Sequence, residues 1–257
     1  METLKKLHIL NGNALKILAC VFMLIDHTGM LLFPSELWLR YLGRLSMPIF
    51  AFMVAEGCRY TKNKWKHFFL LFGFGAVISG VCQLFSDFLV FDKPYLCIFV
   101  TFSLSTLIIY AMQHAKKSIF SEETKNAEKI FSVGLVLVLV ALSYLLCQFT
   151  IVDCGFWGIM MPVFASLFDF HRIPTPDNLK KLDCLPIKLL CMTVPEMMLI
   201  FQHDSPAIQA HMLFAFFFLF LYNGKKGKAR LKYFFYLFYP LHIAILSLLA
   251  VVYYFFP

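Results

Sequence analysis

The chain has 257 residues, of which 60% are hydrophobic, 18% aromatic and only 15% charged, with a formal net charge of +8. Soluble domains carry about 25% charged residues, so this composition excludes a water-soluble globular protein and points to an integral membrane protein. The eight Cys are scattered, mostly inside apolar runs and with no CxxC pair, so neither a zinc site nor a disulfide framework is indicated; they read as small hydrophobic side chains.

In chain order, about nine apolar segments approach the ~20 residues that cross a ~30 Å hydrocarbon core. They run from Ala14 to Phe33, Trp38 to Cys58, Phe68 to Phe91, Tyr95 to Gln113, Ile130 to Ile151, Phe156 to Phe170, Leu185 to Phe201, Ile208 to Tyr222 and Phe234 to Phe256. The sixth and seventh are short and carry Pro162 and Pro195, which predicts kinks or partial spans. A cleavable signal peptide is not expected, because the first apolar run follows METLKKLHILNGN and is too long and too charged inside for an h-region. The expected architecture is all-α: a polytopic membrane helix bundle forming one transmembrane domain over residues 1–257.

Charge in the connections sets the orientation. Lys5 and Lys6 precede the first segment. The second connection carries Arg59, Lys62, Lys64 and Lys66, the fourth Lys116, Lys117, Lys125 and Lys129, the sixth Arg172, Lys180 and Lys181, and the eighth, NGKKGKARLK, five more basic residues. Odd-numbered connections are nearly bare, with Arg40 at one end of the first and Lys93 in the third. The positive-inside rule then puts the N-terminus and every even connection in the cytoplasm and the C-terminus outside. The net positive charge therefore needs no nucleic-acid partner. A second use for one such loop is to hold a phosphorylated cytosolic ligand.

No connection is long enough for a soluble domain and no Gly-rich phosphate loop is present, so any chemistry must sit among the helices. The first segment carries Asp26 and His27 side by side, roughly 18 to 20 Å from a cytoplasmic start near Ala14. Arg44 enters the second segment from the outside and reaches a similar depth, with Glu56 deeper on the same segment. A charged group at that depth costs on the order of 3 kcal/mol, so such groups pair or line a wet cavity. An Asp26–Arg44 ion pair that only pins two helices is one reading. In the other, adjacent residues point about 100° apart, so Asp26 binds Arg44 while His27, whose imidazole is suited to take a proton near neutral pH, faces a reaction cavity. The last segment adds His242 two residues after Pro240, roughly 12 Å from the cytoplasmic end. Glu196, beside Pro195, poses the same question.

Three stretches carry a family likeness: NGNALKILACVFMLIDHTG, LRYLGRLSMPIFAFMVAEG and LYNGKKGKARLKYFFYLFYPLHIAIL. They resemble the signature blocks of the TraX family of membrane proteins, named for the conjugative F-pilin acetylase, and VDCGFWGIM resembles a looser version of a fourth block, with Cys154 where an aromatic is commoner. The spacing of Lys16 and His27, eleven residues apart, is also similar to the first helix of transmembrane acyltransferases such as heparan-alpha-glucosaminide N-acetyltransferase, with Lys16 in place of the usual Arg.

The resemblance implies an acetyltransferase in a bacterial cytoplasmic membrane, which moves an acetyl group from cytosolic acetyl-CoA to an extracytoplasmic acceptor, a pilin N-terminal amine or a glycan. No metal is implied. On that reading His27 and Asp26 are catalytic, with Arg44 and Glu56 placing the substrate or its oxyanion and Asp153 on the acceptor side. The coenzyme A polyanion would meet Lys225, Lys226, Lys228 and Arg230, with its pantetheine arm passing Tyr239 and His242. A proton-coupled transporter and a non-catalytic assembly factor for pili or envelope polymers are the competing classes.

Overall fold

A computed structural model describes residues 8–84, 93–229 and 231–255. In chain order the helices are α1 (Gly12–Leu31), α2 (Leu37–Gly43), α3 (Ser46–Tyr60), α4 (Lys64–Leu84), α5 (Ile98–Ile119), α6 (Asn126–Phe149), α7 (Gly155–Ala165), α8 (Asp177–Lys180), α9 (Leu185–Gln202), α10 (Pro206–Gln209), α11 (Ala215–Phe220) and α12 (Lys232–Phe255). A 3-10 turn (Ala210–Phe214) joins α10 to α11, and two-residue strands β1 (Tyr95–Leu96) and β2 (Ile151–Val152) pair in parallel.

Six of these helices, α1, α4, α5, α6, α9 and α12, are long and apolar enough to cross a membrane. The expected count of about nine spans is not matched by helices of that length among the described residues, and three expected segments have another form. The segment Trp38 to Cys58 is two helices, because Pro48 has no N–H to give the Arg44 carbonyl and sits in the first turn of α3, where helical N–H groups lack such a partner anyway. Phe156 to Phe170 holds an 11-residue helix, α7, about 16 Å long and so half of a hydrocarbon core. Ile208 to Tyr222 is broken into α10, the 3-10 turn and α11. Part of the third expected segment, beyond Leu84, and the last residue of the ninth lie outside the described residues.

The contacts divide the chain into two compact units, residues 1–53 with 196–257, and residues 54–195. In the first, α1 and α12 lie side by side and parallel: the Lys16 ammonium sits 5.6 Å from the centre of the Phe235 ring, His27 meets His242, and Phe33 meets Tyr253. The start of α1 is tied to the loop before α12. Asn11 accepts from the Ala14 N–H at 3.0 Å, the N–H groups of Gly12 and Asn13 donate to the carbonyls of Lys225 and Lys226, and Asn13 Nδ2 donates to the Ala229 carbonyl at 2.8 Å. A helix start leaves its first four N–H groups unpaired; here the cap residue and a distant loop both serve it. Gly227, at φ +93°, makes this approach feasible, since a Cβ there would lie 2.7 Å from the Asn11 side-chain oxygen.

In the second unit α5 is the most buried spanning helix. Thr101, Ser103, Ser105 and Thr106 are fully buried along it, and such small polar residues let helices approach closely in a membrane. Their hydroxyls are satisfied by carbonyls, Thr101 donating to Asp153 O at 2.8 Å and Ser105 to Ile159 O at 2.7 Å. Ile108, Ile109 and Met112 then pack against Ile159, Met160 and Val163 of α7. Gly75 brings α4 against the start of α5, where an added Cβ would lie 2.8 Å from the Val100 nitrogen. The outer faces of α4 and α6 expose Phe69, Val77, Phe131 and Leu137, more contiguous apolar surface than a soluble monomer shows; hydrocarbon is the medium that satisfies it.

One ionic network organises the ends of α3 and α9. Arg59 meets Asp183 at 2.5 Å and Asp169 at 3.1 Å, while Lys188 meets Glu56 at 3.0 Å and Asp183 at 3.4 Å. Lys116 donates to the carbonyls of Ser166 and Asp169, both at 3.0 Å. Burial alone would raise the Asp183 carboxyl. The Arg59 hydrogen bond and the charges of Lys188 and Arg59 outweigh that and hold it below the usual carboxylate range.

Two outcomes follow. Gly75→Val should lower the detergent thermal midpoint, by about 1–3 kcal/mol of overpacking, because the obstacle is backbone; Gly80→Ala, with open space around it, should leave the midpoint level or raise it. A depressed carboxyl stabilises the fold above its unfolded pKa of about 4 and loses that contribution as pH falls through the folded value. Acid titration of the midpoint should therefore fall below about pH 4 in the wild type. In Asp183→Asn it should fall less steeply, from a neutral-pH stability lower by about 3 kcal/mol, since Arg59 and Lys188 lose a partner.

Candidate functional site

The first unit gathers four of the residues singled out by sequence, Asp26, His27, Arg44 and His242. Asp26 lies on the α1 face that meets α2. One of its carboxylate oxygens accepts from Arg44 at 2.5 Å and meets Arg40 at 3.0 Å, and Arg40 also donates to the Asp26 carbonyl at 3.1 Å. The approach is close because both helices offer glycine: a Cβ on Gly43 would overlap the Asp26 side chain, and one on Gly29 would lie 2.7 Å from Leu39 Cβ. Arg40 was legible only as a connection charge, yet its spacing from Arg44, i and i+4, puts both guanidinium groups on one helix face. Asp26 is thus a counter-ion to two arginines, not a partner of His27.

One carboxylate against two guanidinium groups leaves one positive charge in excess. The other carboxylate oxygen of Asp26 and the Nε of Arg44 are buried without a hydrogen-bond partner among the described residues. The side chains of Asp26, Arg44 and Arg40 are 13%, 18% and 22% exposed, so the cluster is largely sequestered. It combines surplus cationic character with an unused N–H, which suits an incoming oxyanion.

His27, one residue on, faces α12 instead. Its ring lies 4.9 Å from that of His242 in an edge-on arrangement. His27 Nδ1 is 2.8 Å from the Met23 carbonyl and 3.3 Å from His242 Nε2, and His242 Nδ1 is 2.8 Å from the Phe238 carbonyl. A carbonyl only accepts, so each neutral ring carries its proton on Nδ1. His242 Nε2 is then a lone pair that takes a share of the His27 Nδ1–H, and His27 Nε2 is a second lone pair with no partner among the described residues. Phe238 stacks on His242 at 4.9 Å and Tyr239 meets its edge at 5.8 Å, fixing that ring from two sides.

The remaining expected residues are placed elsewhere. Glu56 lies on α3 and not on the helix of Arg44; it belongs to the second unit and is bound to Lys188. Asp153 also belongs to that unit, with its backbone carbonyl held by Thr101 and its carboxylate 3.5 Å from the Tyr95 hydroxyl. Lys225, Lys226 and Lys228 are exposed in the loop that serves the start of α1, and Arg230 lies outside the described residues. Lys188, unremarked within an apolar run, was not found from sequence; Glu56 offered the only signal, as a buried acid needing a base. Glu196 is fully buried, and neither of its carboxyl oxygens has a partner among the described residues.

Comparison with known proteins agrees with the sequence blocks. The family model for TraX protein matches residues 11–250, a span that contains every residue of the Asp26–His242 site. A relative from Dichelobacter nodosus, described as "Probable fimbrial assembly protein FimC, serogroup H1", is 30% identical over 256 residues, covering 90% of this chain and 92% of the relative. No solved structure matches. With a match over nearly its whole length, the chain belongs to the TraX family.

Proposed function

We propose that the protein is a membrane-embedded acetyltransferase that takes the acetyl group of cytosolic acetyl-CoA and passes it to an amine or hydroxyl of an envelope acceptor, a pilin N-terminus or a glycan. The observation that carries this reading is the open Nε2 lone pair of His27, on a ring whose tautomer is set by the Met23 carbonyl and His242. The ring is only half-buried, so that lone pair is open to the proton of an incoming acceptor. The cationic excess at Arg40 and Arg44 on the next helix supplies the second requirement of acyl transfer, a place for negative charge to develop.

His27 Nε2 removes the proton of the acceptor amine or hydroxyl as that group attacks the thioester carbonyl. The carbonyl oxygen takes the negative charge, which the Arg44 and Arg40 guanidinium groups stabilise. Collapse of the tetrahedral adduct breaks the carbon–sulfur bond, and the imidazolium returns its proton to the departing thiolate. His242 holds the His27 ring and accepts no proton from the acceptor itself. The exposed ammonium groups of Lys225, Lys226 and Lys228 suit the phosphates of the donor, since only the backbone of that loop is occupied in serving α1.

The description of the Dichelobacter nodosus relative as a fimbrial assembly protein favours a second reading, assembly of fimbriae without catalysis. The two part at acetyl-CoA. In nanodiscs supplied with radiolabelled acetyl-CoA and a membrane extract as acceptor, the wild type should transfer label, and His27→Ala should reduce the rate by about 10²–10⁴ at an unchanged thermal midpoint. Label transfer by His27→Ala at the wild-type rate removes the general base from the scheme, and no transfer by the wild type to pilin or glycan acceptors leaves the assembly role. His242→Phe, which keeps a ring but not the Nε2 acceptor, should lower the rate less than His27→Ala and shift the alkaline and acid limbs of the pH–rate profile, a change that lost packing alone does not produce.

A further inference from the structure

The second unit contains a cavity of about 120 Å³ whose lining includes four cationic side chains, Arg59, Lys64, Lys117 and Arg172, with His171 and no acidic residue. We infer that this cavity is a binding site for a phosphate-bearing anion on the face of the protein where the second, fourth and sixth connections meet. It stands independently of the acyl-transfer reading.

Charge accounting supports it. In the adjoining network Arg59 and Lys188 pair with Glu56, Asp169 and Asp183, and the Lys116 ammonium lies beside them on the Ser166 and Asp169 carbonyls, three charges of each sign. Lys64, Lys117 and Arg172 are left over and form no ion pair among the described residues. The positive-inside rule asks for cations on one side of a membrane. It does not ask that cations from three connections converge on one cavity, where their mutual repulsion is unfavourable without an anion.

Unpaired nitrogens point the same way. Arg59 Nε, a donor only, and His171 Nε2 are buried without hydrogen-bond partners among the described residues, and both residues line the cavity. Guanidinium and imidazole N–H groups with neighbouring ammonium charges are the set that recognises phosphate oxygens.

The wall that carries His171 and Arg172 is built to hold its shape. The His171 N–H donates to the Asp169 carboxylate at 3.0 Å and the Phe170 N–H to that of Asp183 at 3.2 Å. Arg172 is then held at φ +60°, a left-handed conformation unusual for a residue with a Cβ. Strain of this kind persists where surrounding contacts over-determine it, and it collects at ligand clamps. Lys64 is likewise fixed, with its ammonium 5.2 Å from the centre of the Tyr110 ring.

The phosphate could belong to a soluble cytosolic ligand or to an anionic lipid headgroup, and two arms separate these sources. In phosphatidylcholine nanodiscs without acetyl-CoA, inorganic pyrophosphate should bind the wild type by calorimetry. Binding should be at least about tenfold weaker in Lys117→Ala/Arg172→Gly, two exposed positions at which the glycine also relieves the backbone, and unchanged in the control Lys125→Ala/Lys180→Ala, which removes the same charge from the same two connections outside the cavity. In nanodiscs containing phosphatidylglycerol and no soluble phosphate, a headgroup source predicts slower amide exchange in residues 57–64 and 170–173, lost in the cavity variant alone. Either pattern upholds the site and identifies its source. The inference is overturned if neither probe acts on the wild type, or if the cavity and control variants respond alike.

Discussion

An ionised side chain in a membrane-length helix is tolerated only when its charge is met inside the protein, and this constraint accounts for the way both units are assembled. In the first unit, Asp26 on α1 requires cations, and α2 supplies two of them, four residues apart on one face. The glycines at 29 and 43 let the two helices approach closely, since a Cβ on Gly43 would overlap the Asp26 side chain and one on Gly29 would lie 2.7 Å from Leu39 Cβ. In the second unit, Glu56 and Lys188 solve the same problem for each other, and Asp183 joins that pair to Arg59. The pairs are weak evidence for stability in themselves, since desolvation offsets much of their attraction. Their effect is on specificity: a helix rotated by one residue, about 100°, would leave a bare charge in the hydrocarbon.

The same rotation argument explains why Asp26 and His27 can be neighbours and yet serve different surroundings. Asp26 is spent on the arginines of α2, which leaves His27 to face α12 and its parallel partner His242. The start of α1 is tied to the loop that leads into α12 by three hydrogen bonds from Gly12 and Asn13. The axial register between α1 and α12 is therefore set at their shared end, and the meeting of His27 with His242 further along is a consequence of that register. A ligand that drew Lys225 or Lys226 away would loosen the start of α1 directly, because their carbonyls hold it.

What could be read from the sequence follows from which physical signals are local. Apolar length is local, so α1, α4, α5, α6, α9 and α12 lie within or close to expected segments. Asp26, His27, Arg44 and His242 were legible because each is a polar residue in an apolar run, and such a residue needs a reason to be there. The break between α2 and α3 was missed although Pro48 marks it, since hydropathy averages over a residue that fails only as a donor. Arg40 and Lys188 were missed for a related reason: as bases near segment ends they satisfy the orientation rule without any partner. Only the fold shows that Asp26 and Glu56 need them. Glu56 was read as lying on the same helix as Arg44, where there are two helices, α2 and α3.

The competing readings of the Asp26–His27 region come down to one nitrogen. If the ionic and imidazole contacts existed only to lock helices, every polar atom would gain by being paired, and unpaired buried groups would be a net loss in a low-dielectric setting. Yet Asp26 keeps a buried carboxylate oxygen and Arg44 a buried Nε–H without a partner among the described residues, and half-buried His27 has an Nε2 that none of them engages. These three lie on two adjacent residues of α1 and on the helix packed against it. A lone pair, an N–H donor and a surplus positive charge are complementary to an acceptor proton, a carbonyl oxygen and the charge that develops on it. The unsatisfied atoms thus leave an acceptor, a donor and a positive charge in one region of the first unit, which helix locking alone does not require.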